Sequence, residues 1–371
     1  MVNEFHIDML EKTGLEDQLI KCKKKLDKIF KEKNTIILFG AGTVGIENLR
    51  IIKKLSKARV VFCDNSPKKQ GTTIEGITVI NFNELITNYK SSYIIITSIS
   101  YYDEILEQLE KFGLEKNLID AFDNLLVNYE YRDYYNLIKE NESKFSEIYN
   151  LLSDDYSKKL FINRLNYCIT GNPKYLIPLK SKEQQYFEHK IISLTEDEIF
   201  IDGGGYTGDT VKEFLKQTNR KFNKVYSFEP EKSKHKEFIN KFSNFKNIEL
   251  VPYGLWSRKN ILHFNLEDSG ASCISDIGDI EIPVISIDEL LNGERVTFIK
   301  MDIEGAELEA LQGAKNTIQR FLPKLAICIY HKPKDIIEIS LYIKKIGPRY
   351  NLYLRHYSNF HSETVLYAVV E

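Results

Sequence analysis

Short, almost wholly apolar runs recur along this chain, and most stop at a glycine or an acid. Thr35-Ile-Ile-Leu-Phe39, Arg59-Val-Val-Phe-Cys63 and Tyr93-Ile-Ile-Ile-Thr97 open the series. They are too short for buried helices and too uniformly apolar for strands with one wet face. They predict strands covered on both sides, the pattern of a parallel sheet. Helical stretches follow two of them, one running to Leu55 and one over Glu104–Phe112, as crossovers require. Before them, Leu15, Leu19, Leu26, Ile29 and Phe30 lie near helical spacing and make residues 1–33 an amphipathic helix.

A second series starts at Ile199 and runs through Val225–Phe228, Ile248–Val251, Phe298–Met301 and Leu325–Tyr330. Leu352–Leu354 and Val365–Val370 close it as an antiparallel pair around a polar turn. Between the two series, Tyr, Asn, Leu and charge dominate residues 121–195, with breaks at Asn172-Pro173 and Ile177-Pro178. That segment predicts connecting helices. The expected fold class is α/β, with two Rossmann-like domains at 1–120 and 196–371 joined by a helical connector and cap at 121–195.

Two strand ends carry glycine loops. Gly40-x-Gly42-x-x-Gly45, with Asp64 after the next strand, has the spacing of a dinucleotide fingerprint in a strand–turn–helix setting. It predicts a second nucleotide site, for a nicotinamide cofactor, a nucleotide sugar or another nucleotide; a purely architectural loop is the alternative. The richer loop is Asp202-Gly203-Gly204-Gly205-Tyr206-Thr207-Gly208-Asp209. Glycines let a ligand approach the backbone, and the helix start offers free N–H groups. The following strand tips carry Glu229, then Asp302 and Glu304. Strand periodicity puts Lys300 and Asp302 on one face, where a salt bridge is expected.

This ordered series, with Phe228-Glu229-Pro230, Lys300-Met-Asp-Ile-Glu-Gly-Ala-Glu307 and Ile329-Tyr330-His331-Lys332-Pro333, resembles the FkbM family of class I methyltransferases. Gln185-Tyr186-Phe187 fits the same pattern, and the resemblance covers roughly residues 150–371. It implies a class I methyltransferase sheet ending in an antiparallel hairpin, and methyl transfer from S-adenosylmethionine to an oxygen of a sugar or similar metabolite. It implies that Asp202, Gly203, Gly204, Gly205, Thr207 and Gly208 hold the methionine end and Glu229 the ribose. Gly254, Leu255 and Trp256 would then border the adenine. His331, at a strand tip, is the first choice of base, with Asp302 and Glu304 as alternatives and Lys300 as a nearby charge. Glu307 reads as a first-turn acid of a helix. His356 is expected to line the acceptor pocket, and His361 to be exposed.

Composition narrows the partners. Of 371 residues, 43% are hydrophobic and 28% charged, and the formal net charge of −2 gives no footprint for nucleic acid. Five scattered cysteines form no Cys-x-x-Cys pair, which argues against a disulfide framework or a zinc site. No apolar run is long enough to span a membrane, and a cytoplasmic enzyme is expected. No histidine–carboxylate group at ligand spacing stands in the sequence, so no metal is expected; a divalent cation held by the paired carboxylates Asp302 and Glu304 is the alternative. The expected partners are a small-molecule acceptor such as a nucleotide-linked sugar, and a second copy of the chain. Two other functions stay open: a bifunctional sugar-modifying enzyme with an NAD(P)-dependent first domain, and a binding protein without activity. Tyr135-x-x-x-Lys139 and Tyr186-x-x-x-Lys190 have reductase-like spacing, but no serine-bearing strand precedes them.

Overall fold

The computed structural model describes residues 4–12, 15–98, 101–119, 133–266, 272–275 and 280–370. Its first sheet has strands β1 (Thr35–Phe39), β2 (Arg59–Cys63), β3 (Thr73–Ile74), β4 (Ile77–Ile80) and β5 (Tyr93–Ile96), in the order β3-β4-β2-β1-β5. β1 runs parallel to β2 and β5, with Phe39 opposite both Cys63 and Ile96, so three strand tips share one edge. The apolar run of β1 is buried throughout because each face has its own core. Ile36 and Leu38 pack with Leu26 and Ile29 of helix α1 (Leu15–Lys31) and Leu49 and Ile52 of α2 (Thr43–Leu55). Ile37 and Phe39 pack with Leu85 of α3 (Phe82–Asn88) and Ile105 and Leu109 of α4 (Tyr102–Lys111).

Helices α5 (Tyr134–Glu140), α6 (Glu142–Leu151) and α7 (Asp155–Thr170) form the connector. An aspartate opens α7, where Asp154 accepts the Ser157 N–H, and Gly171 closes it in the left-handed region. The start of the chain packs here and not on the first sheet. The Phe5 ring lies 6.0 Å from Phe161 and 6.2 Å from Tyr149, and the Glu11 N–H donates to Asn166 Oδ1 at 2.7 Å.

The second large sheet holds β6 (Ile199–Gly203), β7 (Lys224–Phe228), β8 (Ile248–Val251), β13 (Phe298–Met301), β14 (Lys324–Cys328), β15 (Asn351–His356) and β16 (Thr364–Val369). Its order is β15-β16-β14-β13-β6-β7-β8, parallel except that β16 runs against β14 and β15. β6 and β13 are central, which puts both tips at the switch point where ligands bind in open α/β sheets. Helices α8 (Asp209–Gln217), α9 (Lys232–Phe242), α10 (Ile287–Leu291), α11 (Glu307–Gln312), α12 (Lys315–Phe321) and α13 (Asp335–Ile346) complete the domain. Phe200 stacks between Phe214 at 4.6 Å and Phe298 at 4.9 Å, filling one face.

Between β8 and β13 lies a small sheet that the hydrophobic pattern does not announce. It comprises β9 (Gly254–Leu255), β10 (Asn260–Leu266), β11 (Ser272–Ser275) and β12 (Ile280–Ile285). The closing hairpin also differs in detail from expectation. His356 is fully buried, with Nδ1 2.9 Å from Thr364 Oγ1. His361 stands edge-on to Tyr330, 6.4 Å between rings, and burial draws its pKa down to about 4. The hairpin turn also meets the first domain. Asn359 donates to Asp103 Oδ1 at 2.9 Å, Lys180 pairs with the same carboxylate, and Phe360 meets the Tyr102 ring at 5.3 Å.

Candidate functional site

Register builds the base of the site. β6 and β13 are parallel neighbours with Asp202 opposite Lys300. The Lys300 ammonium lies 3.1 Å from Asp202 Oδ1 and donates to the carbonyls of Gly203 and Gly204, each at 3.0 Å. Ser227 Oγ donates to Asp202 Oδ2 at 2.9 Å. Sequence periodicity pairs Lys300 with Asp302; the sheet joins it to Asp202 instead, because cross-strand neighbours are closer than residues two apart. Burial lowers the Lys300 pKa, but Asp202 and Asp302 outweigh it and hold the ammonium above its usual range. Asp202 and Lys300 are both buried, so the pair shapes the loop from below and has no open face toward a ligand.

Above this pair the glycine loop is tightly pressed. Gly204 has φ +79°, and a Cβ there would sit 2.0 Å from the Asp302 carbonyl oxygen. Only glycine fits that position. Gly205 abuts Ser227, Gly203 abuts Leu255, and Gly208 packs on Phe242 before α8 begins. No side chain caps α8, so its first N–H groups face the crevice side of the strand tips. The Tyr206 N–H donates to Glu229 Oε2 at 2.8 Å and the Glu231 N–H to Oε1 at 2.7 Å. Burial nonetheless leaves the Glu229 pKa raised. Thr207 accepts from Lys241 Nζ through its carbonyl at 3.0 Å and its hydroxyl at 3.1 Å. Gly254 and Leu255 form β9 beside the loop, and half-buried Trp256 follows, its backbone N–H donating to Ile285 O.

The tip of β13 gathers acids. Asp302 accepts from Tyr186 Oη at 2.8 Å and Tyr330 Oη at 3.0 Å. Burial raises its pKa, but Lys300, His331 and the two phenols outweigh that and keep it below the usual range. Glu304 lies in the left-handed region (φ +55°) with its carboxylate 93% exposed. Glu307, expected to be only a first-turn acid, is fully buried; its Oε1 accepts the Ile303 N–H at 2.8 Å. His331 faces all three carboxylates. Its Nδ1 is 3.0 Å from Glu307 Oε1, and its Nε2 is 3.4 Å from Asp302 Oδ1 and 3.6 Å from Glu304 Oε2. Burial lowers its pKa, but the carboxylates, Glu307 first, lift it to about 9. An imidazole so placed carries its proton at neutral pH.

The sequence holds no metal-ligand cluster along its length. The fold nonetheless brings one ligand atom each of Asp302, Glu307 and His331 within 4.8 Å of one another, because β13 and β14 are parallel neighbours whose tips meet. Sequence reasoning also passed over Tyr330, Ser227 and Glu363 as site groups. Gln185 donates to Glu363 beside Tyr186; the signals readable in advance are Gln185-Tyr186-Phe187 and the Tyr330 of Ile329-Tyr330-His331-Lys332-Pro333. Tyr186 is a partner of Asp302 here, not half of a reductase pair, and Lys190 is exposed.

The first domain repeats the glycine loop and strand-tip acid of this design. Asp64 Oδ2 accepts the Ala41 N–H at 2.8 Å and Oδ1 the Ser66 N–H at 2.8 Å. Lys69 Nζ lies 3.1 Å from Asp64 Oδ2. Gly40 and Gly45 touch, a Cβ on Gly45 falling 2.1 Å from the Gly40 carbonyl oxygen, whereas Gly42 is open toward Lys69. Thr97 closes the third strand tip by donating to Gly40 O at 2.8 Å.

A sheet of this strand order, with a glycine loop and acids at its switch point, defines the second domain as a class I methyltransferase fold. Residues 202–357 match the family model of the methyltransferase FkbM domain. Residues 32–119 match a second model, described as C2185-like, N-terminal. The structure of methyltransferase FkbM from Methylobacillus flagellatus KT has a TM-score of 0.64 at 23% identity, covering 95% of this chain and 99% of that one. That likeness is one of fold. Slighter overlaps, without weight in the argument, occur with an rRNA methylase from Streptococcus thermophilus and with Aeropyrum pernix fibrillarin in complex with S-adenosyl-L-methionine. The first has TM-score 0.32 at 17% identity, over 48% of this chain and 90% of that one. The second has TM-score 0.32 at 12% identity, over 48% and 70%. No curated protein matches the chain. Among the described residues, no helix is long and apolar enough to cross a membrane.

Proposed function

We propose that this chain transfers a methyl group from S-adenosylmethionine to a hydroxyl of a sugar, and that the first domain holds the nucleotide to which that sugar is attached. The carrying observation is the placement of two unlike strand tips on either side of one glycine loop. Glu229 lies on one side, at the loop amides, and Asp302 with His331 on the other. In this reading the α8 N–H groups and the loop Gly203–Gly208 take the methionine carboxylate, a natural anion site. Glu229 takes the ribose, and Gly254, Leu255 and Trp256 border the adenine. The Asp202–Lys300 pair keeps the loop in shape.

Methyl transfer is an in-line displacement. The acceptor oxygen attacks the methyl carbon, the carbon–sulfur bond breaks, and sulfur keeps the electron pair. Proximity and alignment supply much of the rate, with the reacting atoms about 3 Å apart. Asp302, held ionised, would accept the hydroxyl hydrogen bond and then its proton. His331, facing Asp302 at 3.4 Å, would orient it. This shifts the base role from the histidine, which keeps its proton near neutrality, to the acid beside it.

In the first domain, the open Gly42–Lys69 side suits a phosphate, since the α2 N-terminus and an ammonium converge there. No redox role is proposed for it. Calorimetry with S-adenosylhomocysteine tests the reading. One site per chain is expected, weakened at least tenfold in Glu229→Ala. Absence of binding by the wild-type chain would overturn it. A screen of the full chain against NAD(H), NADP(H) and nucleotide sugars tests the first domain, where hydride transfer would favour the bifunctional alternative.

A further inference from the structure

We infer that Asp302, Glu307 and His331 form a binding site for a divalent cation beside the methyl-transfer crevice. Three observations converge. First, one ligand atom from each residue lies within 4.8 Å of the others. Metal–ligand bonds of about 2.1 Å place ligand atoms roughly 3–4 Å apart, so the group stands within about 1 Å of a coordinating arrangement.

Second, the group contains buried polar atoms without partners. Glu307 is fully buried, and its Oε2 makes no hydrogen bond. The His331 side chain is only 9% exposed, and neither ring nitrogen has a hydrogen-bond partner. Nδ1 is close to Glu307 Oε1, but the two are not aligned for donation. A buried carboxylate oxygen without a hydrogen bond, and a buried imidazole that meets its carboxylates only in ion pairs poorly aligned for hydrogen bonding, are costly, and a bound ion is one of the few things that removes the cost.

Third, charge is unbalanced. Asp302, Glu304 and Glu307 surround one imidazole, while the nearest buried ammonium, Lys300, is committed to Asp202 and two carbonyls. One imidazole and two carboxylates suit a borderline cation such as Mn²⁺ or Zn²⁺ better than Mg²⁺ or Ca²⁺. The deep side of the site is closed by Glu307, and the outer side is open at Asp302 and at exposed Glu304. Three protein ligands with an open side are the pattern of a catalytic ion, which keeps a position for water or substrate. Uptake of the ion would displace the proton that His331 otherwise carries, and the ion would hold the acceptor hydroxyl and lower its pKa. That use rests on the methyltransferase reading; binding of the ion does not.

The test uses the full chain, freed of metal with a chelator. Mn²⁺ is titrated and followed by the electron spin resonance of free ion, Zn²⁺ by calorimetry, and S-adenosylhomocysteine binding is measured on the same sample. One ion per chain is expected, at least tenfold weaker in Glu307→Gln and in His331→Gln, with S-adenosylhomocysteine binding kept in Glu307→Gln. Should a variant fail to fold, the wild-type stoichiometry and a metal-dependent rise in its melting temperature still decide. Binding of S-adenosylhomocysteine without uptake of either ion would overturn this inference and leave the methyltransferase reading standing. Uptake unchanged in both variants would overturn the choice of ligands. Uptake without S-adenosylhomocysteine binding would keep the ion site and remove the proposed reaction.

Discussion

The two glycine crevices of this chain use the same holder and finish it differently. In each, an acid at the second strand tip accepts one N–H from the glycine loop and a second from the residue two positions on. Asp64 binds Ala41 and Ser66, and Glu229 binds Tyr206 and Glu231, at 2.7–2.8 Å in all four bonds. The third strand tip then separates them. Thr97 closes the first crevice with a hydroxyl, whereas Asp302, Glu304 and Glu307 meet His331 in the second. On the proposed reading, the shared motif serves to hold a ligand, and the reacting groups lie one strand further along.

Substitutions can break or sharpen that comparison. The largest effect is expected beneath the second loop, where the first crevice has no counterpart. Lys300→Met leaves Asp202 buried and uncompensated, and should cost about 3–5 kcal/mol in denaturant unfolding of the full chain. A loss under about 1 kcal/mol would mean the pair is not what shapes the loop. Next come the loops themselves. Gly204→Ala and Gly45→Ala both force a Cβ into a backbone oxygen, at 2.0 and 2.1 Å, and each should cost about 1–3 kcal/mol. Gly204→Ala should abolish S-adenosylhomocysteine binding and leave any nucleotide binding of the first domain intact, with the reverse for Gly45→Ala. Calorimetry that finds either change acting on both ligands would deny that the crevices are separate.

Effects of similar size on stability, without loss of the loop itself, should follow at the acids. Glu229→Gln and Asp64→Asn weaken bonds to two backbone N–H groups, at about 1–3 kcal/mol for a charged acceptor. Equal losses of ligand affinity would make the holders equivalent, and a loss only in Glu229→Gln would leave the first loop architectural. The smallest change is expected for Lys69→Ala. The Lys69–Asp64 pair is partly exposed, so stability should move by less than about 1 kcal/mol. Affinity for a nucleotide sugar should nevertheless fall about tenfold if Lys69 meets a phosphate, and an unchanged affinity would remove it from the site.

Much of this could be read in the chain because its signals are local. Strands such as Thr35–Phe39 and Ile199–Gly203 are short, apolar and punctuated by glycine, so their type and their tips are written in adjacent residues. What escaped depends on register and adjacency. The Lys300–Asp202 pair spans 98 residues and exists only because β13 lies next to β6. Glu307 and His331 meet because β13 and β14 end side by side. The small sheet escaped in part because the stretch around Gly270, Ser272 and Cys273 reads in sequence as a polar loop; Gly270 lies outside the described residues, and Ser272 and Cys273 fall on β11. Phe5 and Leu10 carry too short a pattern to say which core receives them.

That last detail changes how the chain is divided. Phe5, Leu10 and Glu11 are embedded in the connector helices, which resume at Tyr134, so the first sheet and its helices are an insertion within a larger body. It is tethered at both ends, and a third contact at Asp103 and Tyr102 ties it to the hairpin turn. Cutting the chain near residue 120 would therefore yield two damaged halves, one bearing an orphaned apolar segment and the other missing part of its core. A clean excision would keep residues 4–12 and splice them to the start of α5.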